Sequence, residues 1–239
     1  MAFGRATEMV PGAAVSSSTQ ERIAFIRRTY LHLFVAIVAF VGLEVLMLNL
    51  SFTRRLAFRM LASPWSWIAV LLVFMVMGWV ADKWAHTAES KEMQYLGLGL
   101  YVVAEAIIFL PLLFIAAYYS DPSVIPTAGL LTGVVFAGLT ATVFITGKDF
   151  SFLRGLLMVG FFAALGVMLC GLIFGFKLGL LFSSILVVLA GGYVLYVTSN
   201  VLYHYRTDQH VAASLSLFAA IALLFWYILR IVIILAGRD

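Results

Sequence analysis

Three charged residues, Glu44, Glu105 and Arg230, lie inside long apolar stretches of this chain. A charge at membrane depth is costly, so each should face a bundle interior, water or an oppositely charged partner. Glu105 lies near the middle of its stretch, six residues before Pro111, whose ring removes a backbone hydrogen bond from a helix. An acid beside a broken helix fits an ion or proton site. The alternative is a protonated or paired acid with a structural role only.

Glu44 and Arg230 have opposite charges and similar predicted depths. At 1.5 Å per helical residue, Glu44 lies about 22 Å along its apolar stretch and Arg230 about 28 Å along another. Each alone would be an unpaired charge in hydrocarbon. We therefore expect an ion pair that joins the first and last helices, although a long side chain near a helix end can also extend towards the interface.

The segment YHYRTDQH, residues 203–210, is a polar island between two apolar runs. His204, Asp208 and His210 carry groups that bind metals, but their spacing matches no familiar ligand set. A solvated loop is the preferred interpretation, so the sequence predicts no metal site and no bound cofactor.

Known enzyme motifs are absent from the sequence. It contains no HExxH helix, no dinucleotide-binding glycine pattern, no Walker loop and no Gly-x-Ser-x-Gly elbow. No lysine is predicted at membrane depth, which argues against a retinal protein. The single cysteine, Cys170, allows no intrachain disulfide. An enzyme is therefore not expected.

Composition predicts the medium in which these residues lie. Hydrophobic residues make up 64% of the 239 residues and charged residues only 11%, against about 25% charged in soluble domains. Lipid must therefore surround most of the chain, and a bilayer core about 30 Å thick needs about 20 apolar residues per helix. The pattern predicts an all-α integral membrane protein with one membrane domain, residues 21–239, and seven spans at about 29–50, 65–82, 94–118, 125–146, 153–175, 178–202 and 211–235.

The ends of the apolar runs predict orientation. Residues 1–20 have no long apolar core and are predicted to be a disordered tail, and Ser18 with Glu21 fits a capping box that opens a short helix before the first span. Lys and Arg in the connecting segments favour a cytoplasmic N-terminus, with the 203–210 loop on the same side. With seven spans the C-terminus then lies outside. If residues 211–235 enter and return, or if the last two runs share one crossing, both termini are cytoplasmic. The net charge of +4 comes from these scattered residues, so no nucleic-acid partner is expected.

The polar island and its flanks, YVLYVTSNVLYHYRTDQHVAASLSLFAAIALLFWYILRIV, resemble the C-terminal signature of the Bax inhibitor-1 family, also called the transmembrane Bax-inhibitor-motif family. A second similar stretch is TAGLLTGVVFAGLTATVFITGKDFSFLRG, residues 127–155, and a weaker one is RRTYLHLFVAIVAF at the first span. The resemblance covers nearly the whole chain from residue 27. The motif residues that carry it most specifically are Lys148, Asp149, Phe150, Arg206 and Asp208.

This resemblance implies a seven-helix bundle with the last helix at its centre and, for members studied, a pH-sensitive calcium leak; eukaryotic members are associated with suppression of cell death. The family's acid sensor is a pair of aspartates in a Y-D-T-like and an S-L-Y-L-D stretch. Here these stretches read YVT and SLFAA, so Val197 and Ala220 replace both aspartates. The chain thus resembles a bacterial-type member without the sensor pair, and Glu105, at a position where some members also have Glu, is the candidate acid.

Three hypotheses follow. The first is a calcium or other cation leak through the membrane, with altered or absent pH gating and Glu105 as its acid. The second is a non-conducting membrane interaction or stress-regulatory protein, motivated by the loss of both aspartates. The third is a proton-coupled transporter of a small solute, for which the sequence shows no inverted repeat. The expected partners are the lipid bilayer of the cell membrane and, for the first hypothesis, calcium ions.

Overall fold

The computed structural model describes residues 13–86, 90–176 and 178–237. Its regular elements in these ranges are helical, apart from one isolated β-bridge. A short 3₁₀ helix, Ala14–Ser16, precedes eight α-helices: α1 Thr19–Asn49, α2 Ser51–Leu61, α3 Pro64–Ala85, α4 Lys91–Tyr119, α5 Val124–Thr146, α6 Leu153–Phe174, α7 Leu180–Tyr203 and α8 His210–Ala236.

Seven of the helices in the described ranges are long and apolar enough to cross a bilayer. They coincide with the seven predicted spans, so the all-α, seven-span fold is confirmed. The last of them, α8, is continuous from His210 to Ala236, which makes the final apolar run a single crossing. The alternative in which this run enters and returns is therefore wrong.

Helix α2 was not predicted. It is amphipathic, with Thr53, Ala57 and Met60 buried at a spacing of one helical turn while Arg54 and Arg55 are exposed. The basic residues between the first two spans therefore belong to a short helix that packs one face against the bundle.

Helix α8 lies at the centre of the bundle, packing against α1, α3, α4, α5 and α7. Its fully buried residues include Ala212, Ala213, Ser214 and Ala220, and small side chains let neighbouring helix backbones approach closely in a membrane. Helix α6 lies at the edge, packed mainly against α7. The expectation of a central last helix is confirmed.

Helix α1 begins at the predicted capping box, in which the Ser18 hydroxyl accepts from the Glu21 amide at 3.3 Å and the Glu21 carboxylate accepts from the Ser18 amide at 3.1 Å. The predicted short helix and the first span form one continuous helix.

The residues just before α1 are packed against the bundle. Ala13 and Ala14 are fully buried, and Ala13 forms an antiparallel bridge with Arg206, while the Ala14 amide donates to the Tyr205 carbonyl at 3.0 Å. The prediction of a disordered tail is therefore wrong for residues 13–18. This segment is held by backbone hydrogen bonds and by the burial of two alanines, and neither feature produces a hydrophobic pattern in the sequence. Residues 1–12 of the predicted tail lie outside the described residues.

Helices α3 and α4 make the closest approach relevant to the candidate site. A Cβ atom placed on Gly97 of α4 would lie 2.6 Å from the Ala81 carbonyl oxygen and 2.7 Å from the Ala85 nitrogen, both in α3. Real side chains do not tolerate such distances to backbone atoms, so only glycine fits. This contact sets the distance between the end of α3 and the first turns of α4.

Candidate functional site

A cavity of about 300 Å³ lies where α3, α4, α7 and α8 meet, near the end of α3. Its wall combines aromatic rings, hydroxyl groups and one carboxylate. The residues that line it are Phe74, Met75, Gly78, Trp79, Asp82, Tyr101, Tyr193, Leu215, Ser216 and Ala219.

Asp82 supplies the carboxylate of this cavity. Its side chain is 56% exposed and lies 3.3 Å from Nδ1 of His86, one helical turn later. The hydrogen bond that the His86 imidazole donates to the Asp82 carboxylate raises the pKa of His86 above its usual value. Tyr101 of α4 and Tyr193 of α7 line the same cavity. The carboxylate therefore shares this cavity with phenol side chains from two other helices.

The hydroxyl of Tyr205 is hydrogen-bonded to a residue of the cavity wall. It lies 2.7 Å from the hydroxyl of Ser216, which lines the cavity, and the Tyr205 ring lies 5.8 Å from that of His86. Burial raises the pKa of the Tyr205 phenol. Since the Tyr205 carbonyl also accepts the Ala14 amide, the chain before α1 is connected to the cavity wall.

Glu105, the predicted acid, lies in α4 and is 6% exposed. Its carboxyl interacts with the hydroxyl of Tyr101, one turn earlier on the same helix. Because Tyr101 also lines the cavity, this tyrosine touches both the cavity and the buried acid. Tyr101 thus links Glu105 to this cavity, an arrangement that no sequence spacing indicated.

Glu44 and Arg230 do not form the predicted ion pair. Among the described residues, neither carboxylate oxygen of Glu44 has a hydrogen-bond partner, although the residue is only 4% exposed. Arg230 instead donates from Nη2 to the Leu178 carbonyl at 2.9 Å, in the connection between α6 and α7. The long arginine side chain reaches a backbone acceptor near the helix ends rather than the acid, so the expectation of an ion pair is corrected.

Val197 and Ala220, at the positions of the family's aspartates, lie in α7 and α8, which pack against each other. Both are buried and belong to the same apolar cluster at the bundle core. This part of the core therefore contains aliphatic side chains at both sensor positions.

The motif residues Lys148 and Asp149 lie in the connection between α5 and α6. Gly147, with a left-handed φ of 59°, follows the last residue of α5 and caps the helix, and exposed Lys148 comes next. Asp149 accepts from the Ser199 hydroxyl at 2.9 Å, and this hydroxyl in turn accepts the Phe150 amide at 2.7 Å. The Tyr203 hydroxyl donates to the Gly147 carbonyl. These bonds fasten the α5–α6 connection to the end of α7, which gives the motif a structural role.

The polar island turns the chain from α7 into α8. Arg206 donates from Nε and Nη2 to both carboxylate oxygens of Asp208, at 3.1 and 2.6 Å, and both residues are exposed. His204 and His210 have no hydrogen-bond partner at Nδ1 among the described residues. In the part of the chain that the structure describes, no three His, Cys, Asp or Glu side chains converge on a possible metal site.

The sequence reading missed Asp82 and the polar cavity around it. Asp82 lies near the end of α3, four residues before His86. Residues at this spacing lie on the same face of a helix, so the spacing could have indicated that Asp82 and His86 form a pair. The tyrosines Tyr101 and Tyr193 and the serine Ser216 lie in three different helices. Only the packing of these helices brings their hydroxyls together.

The helical fold, with seven helices in the described residues that are long and apolar enough to cross a bilayer, defines a multi-pass α-helical membrane protein. The family described as "Inhibitor of apoptosis-promoting Bax1" matches residues 22–238, so the chain belongs to this family, the Bax inhibitor-1 family. The resemblance inferred from the sequence is confirmed.

Individual relatives agree with this assignment. The chain is 39% identical over 118 residues to an uncharacterized protein of Pseudomonas aeruginosa, covering 49% of this chain and 53% of the relative. It is 34% identical over 127 residues to an uncharacterized membrane protein of Vibrio cholerae, covering 53% and 56%. The match thus spans about half the length of these two relatives. Protein LIFEGUARD 4 of Arabidopsis thaliana is 28% identical over 224 residues, covering 90% of this chain and 86% of the relative.

Proposed function

We propose that this protein provides a leak path for cations, calcium in particular, across the cell membrane, with Glu105 as its mid-membrane acid. The observation that carries the proposal is a buried acid in α4 connected through Tyr101 to a polar cavity of about 300 Å³. An acid at membrane depth that borders a polar cavity is a common feature of ion pathways. In the proposed orientation, the N-terminus and the 203–210 loop face the cytoplasm.

The proposed leak has little pH gating between about pH 6 and 8, because aliphatic side chains occupy both sensor positions. Two nearby carboxylates that share a proton titrate near neutral pH, since like charges in a low dielectric disfavour double ionisation. Val197 and Ala220 cannot act in this way. Flux that rises or falls steeply in this range would contradict this part of the proposal.

A non-conducting membrane interaction protein is the second candidate function. The apolar, buried surroundings of Val197 and Ala220 between α7 and α8 favour it, because the core there offers an ion no polar group at either position. This candidate predicts no calcium flux at any pH.

Calcium entry into proteoliposomes of purified protein tests the proposal. Glu105→Gln keeps the shape of the side chain but removes its charge, so initial calcium flux should fall several-fold while the protein remains folded. Glu92→Gln is the matched control, because Glu92 is exposed at the start of the same helix and its loss changes the net charge equally. A parent protein without flux would overturn the leak in favour of the non-conducting candidate. Unchanged flux in the Glu105→Gln variant would instead overturn the role of Glu105 as the acid of the path.

A further inference from the structure

The cavity at the end of α3 is suited to a positively charged occupant. Asp82 is the only charged side chain among the described residues that line it. The hydroxyls of Tyr101, Tyr193 and Ser216 add neutral oxygen atoms, and the remaining lining residues are apolar or aromatic. No basic side chain is among the described lining residues. His86, at 3.3 Å from the Asp82 carboxylate, and Lys83, whose Nζ lies 5.5 Å from the centre of the Trp79 ring, are the basic groups next to the cavity.

We infer that Asp82, together with the hydroxyls of Tyr193 and Ser216, binds a partly hydrated divalent cation in this cavity. This inference rests on the proposed leak for the identity of the ion, calcium. It adds a binding residue and a location that the proposed function does not contain. Carboxylate, hydroxyl and water oxygens are ligands that calcium accepts in flexible geometry.

The size of the cavity fits an ion that keeps part of its water shell. A water molecule takes about 30 Å³ of liquid, so about 300 Å³ holds an ion with several waters. A single carboxylate cannot replace the whole shell of a calcium ion, which takes about 6 to 8 oxygen ligands, and water supplies the others. Binding at such a site is weak, as conduction requires, because an ion must leave as well as enter.

The site is placed to exchange ions with the buried acid. Tyr101 lines the cavity and interacts with the Glu105 carboxyl one turn along α4. Tyr101 is therefore shared by the cavity that contains the exposed Asp82 and by the buried Glu105. In this arrangement Asp82 collects cations at one end of the bundle, and Glu105 is the next acid on the way through the membrane.

Terbium ions probe the site in the purified, detergent-solubilised full chain. Terbium binds calcium sites and luminesces when nearby tyrosine or tryptophan side chains transfer energy to it, and Trp79, Tyr101 and Tyr193 line this cavity. We expect a terbium signal that calcium displaces. Asp82→Asn should weaken the apparent calcium affinity by about tenfold or more, since it removes the only lining charge.

Two further variants make the test specific. Asp121→Asn is the matched control, because Asp121 is an exposed acid in the connection between α4 and α5, at the other end of α4, and calcium affinity should stay at the parent value. Tyr193→Phe keeps the ring and removes one hydroxyl, so it should weaken affinity less than Asp82→Asn does. Tyr193→Phe also tests the site if Asp82→Asn does not fold.

Calcium binding in detergent and calcium flux in proteoliposomes test the binding site and the leak separately. An unchanged affinity in both Asp82→Asn and Tyr193→Phe, or a parent that gives no calcium-displaceable signal, would overturn the site even if proteoliposomes conduct calcium. Asp82-dependent binding in a protein without flux would support the site and overturn the leak.

Discussion

At the scale of single residues, Glu44 is the least expected feature of the structure. It is 4% exposed, and neither of its carboxylate oxygens has a hydrogen-bond partner among the described residues. A buried polar group without a partner costs about 1–3 kcal/mol of stability. Arg230, in contrast, has a backbone acceptor at Leu178. In the sequence, both residues look like isolated charges at membrane depth. In the structure, Glu44 therefore lowers the stability of the fold, whereas Arg230 raises it.

Glu44→Leu should raise the thermal stability of the detergent-solubilised protein, because it removes an unpaired polar group and keeps the side chain's approximate volume. Arg230→Leu should lower stability by about 1–3 kcal/mol through the loss of a charged hydrogen bond. The double variant should equal the sum of the two changes within about 0.5 kcal/mol. Thermal unfolding followed by intrinsic fluorescence measures all three. A double variant clearly more stable than that sum would show that the two residues interact after all.

At the scale of elements, the approach of α3 to α4 decides the geometry of the cavity. Gly97 faces the backbone of α3 at Ala81 and Ala85, directly beside Asp82 and one turn before Tyr101. Gly99, two residues further along α4, has open space where a Cβ atom would be. The helix therefore contains one glycine that packing requires and one that it does not.

Gly97→Ala should destabilise the protein and disturb the cavity, because a methyl group at 2.6 Å from a backbone oxygen forces the two helices apart. Gly99→Ala, the control, should be neutral or stabilising by up to about 1 kcal/mol, since alanine is the better helix former. Thermal unfolding in detergent compares the two variants. Equal melting temperatures for both would show that α3 and α4 can separate at no cost.

At the scale of the whole molecule, the described residues contain seven helices that are long and apolar enough to cross a bilayer. Seven crossings would place the two ends of the described chain on opposite sides of the membrane. The bridge between Ala13 and Arg206 holds the segment before α1 and the α7–α8 loop at the same end of the bundle. The connection between α4 and α5, which contains Asp121, lies at the opposite end. The structure therefore fixes which segments share a side, while the distribution of Lys and Arg predicts which side is cytoplasmic.

Cysteine labelling in intact cells tests this orientation. In a Cys170→Ala background, a cysteine at Gln209 should be protected from a membrane-impermeant thiol reagent until the cells are permeabilised. A cysteine at Asp121, exposed at the other end, should react without permeabilisation. The reverse pattern would place the N-terminal segment and the α7–α8 loop outside the cell.

The seven spans followed from the sequence alone, because hydropathy is a local sum over about 20 residues and lipid imposes this length on every crossing helix. The capping box at Ser18 and the family motif around Asp149 are equally local. The sequence could not show α2 or the docking of Ala13, since neither depends on a long apolar run.

What only the tertiary structure decided is which side chains meet. Helix depth suggested a pair between Glu44 and Arg230, but rotation about the helix axes and the reach of the arginine direct Arg230 to Leu178. The cavity around Asp82 arises from four helices whose rotation and separation depend on packing at residues such as Gly97. A sequence read along one dimension determines how far each residue lies into the membrane, whereas the direction in which it points depends on contacts with residues distant in the chain.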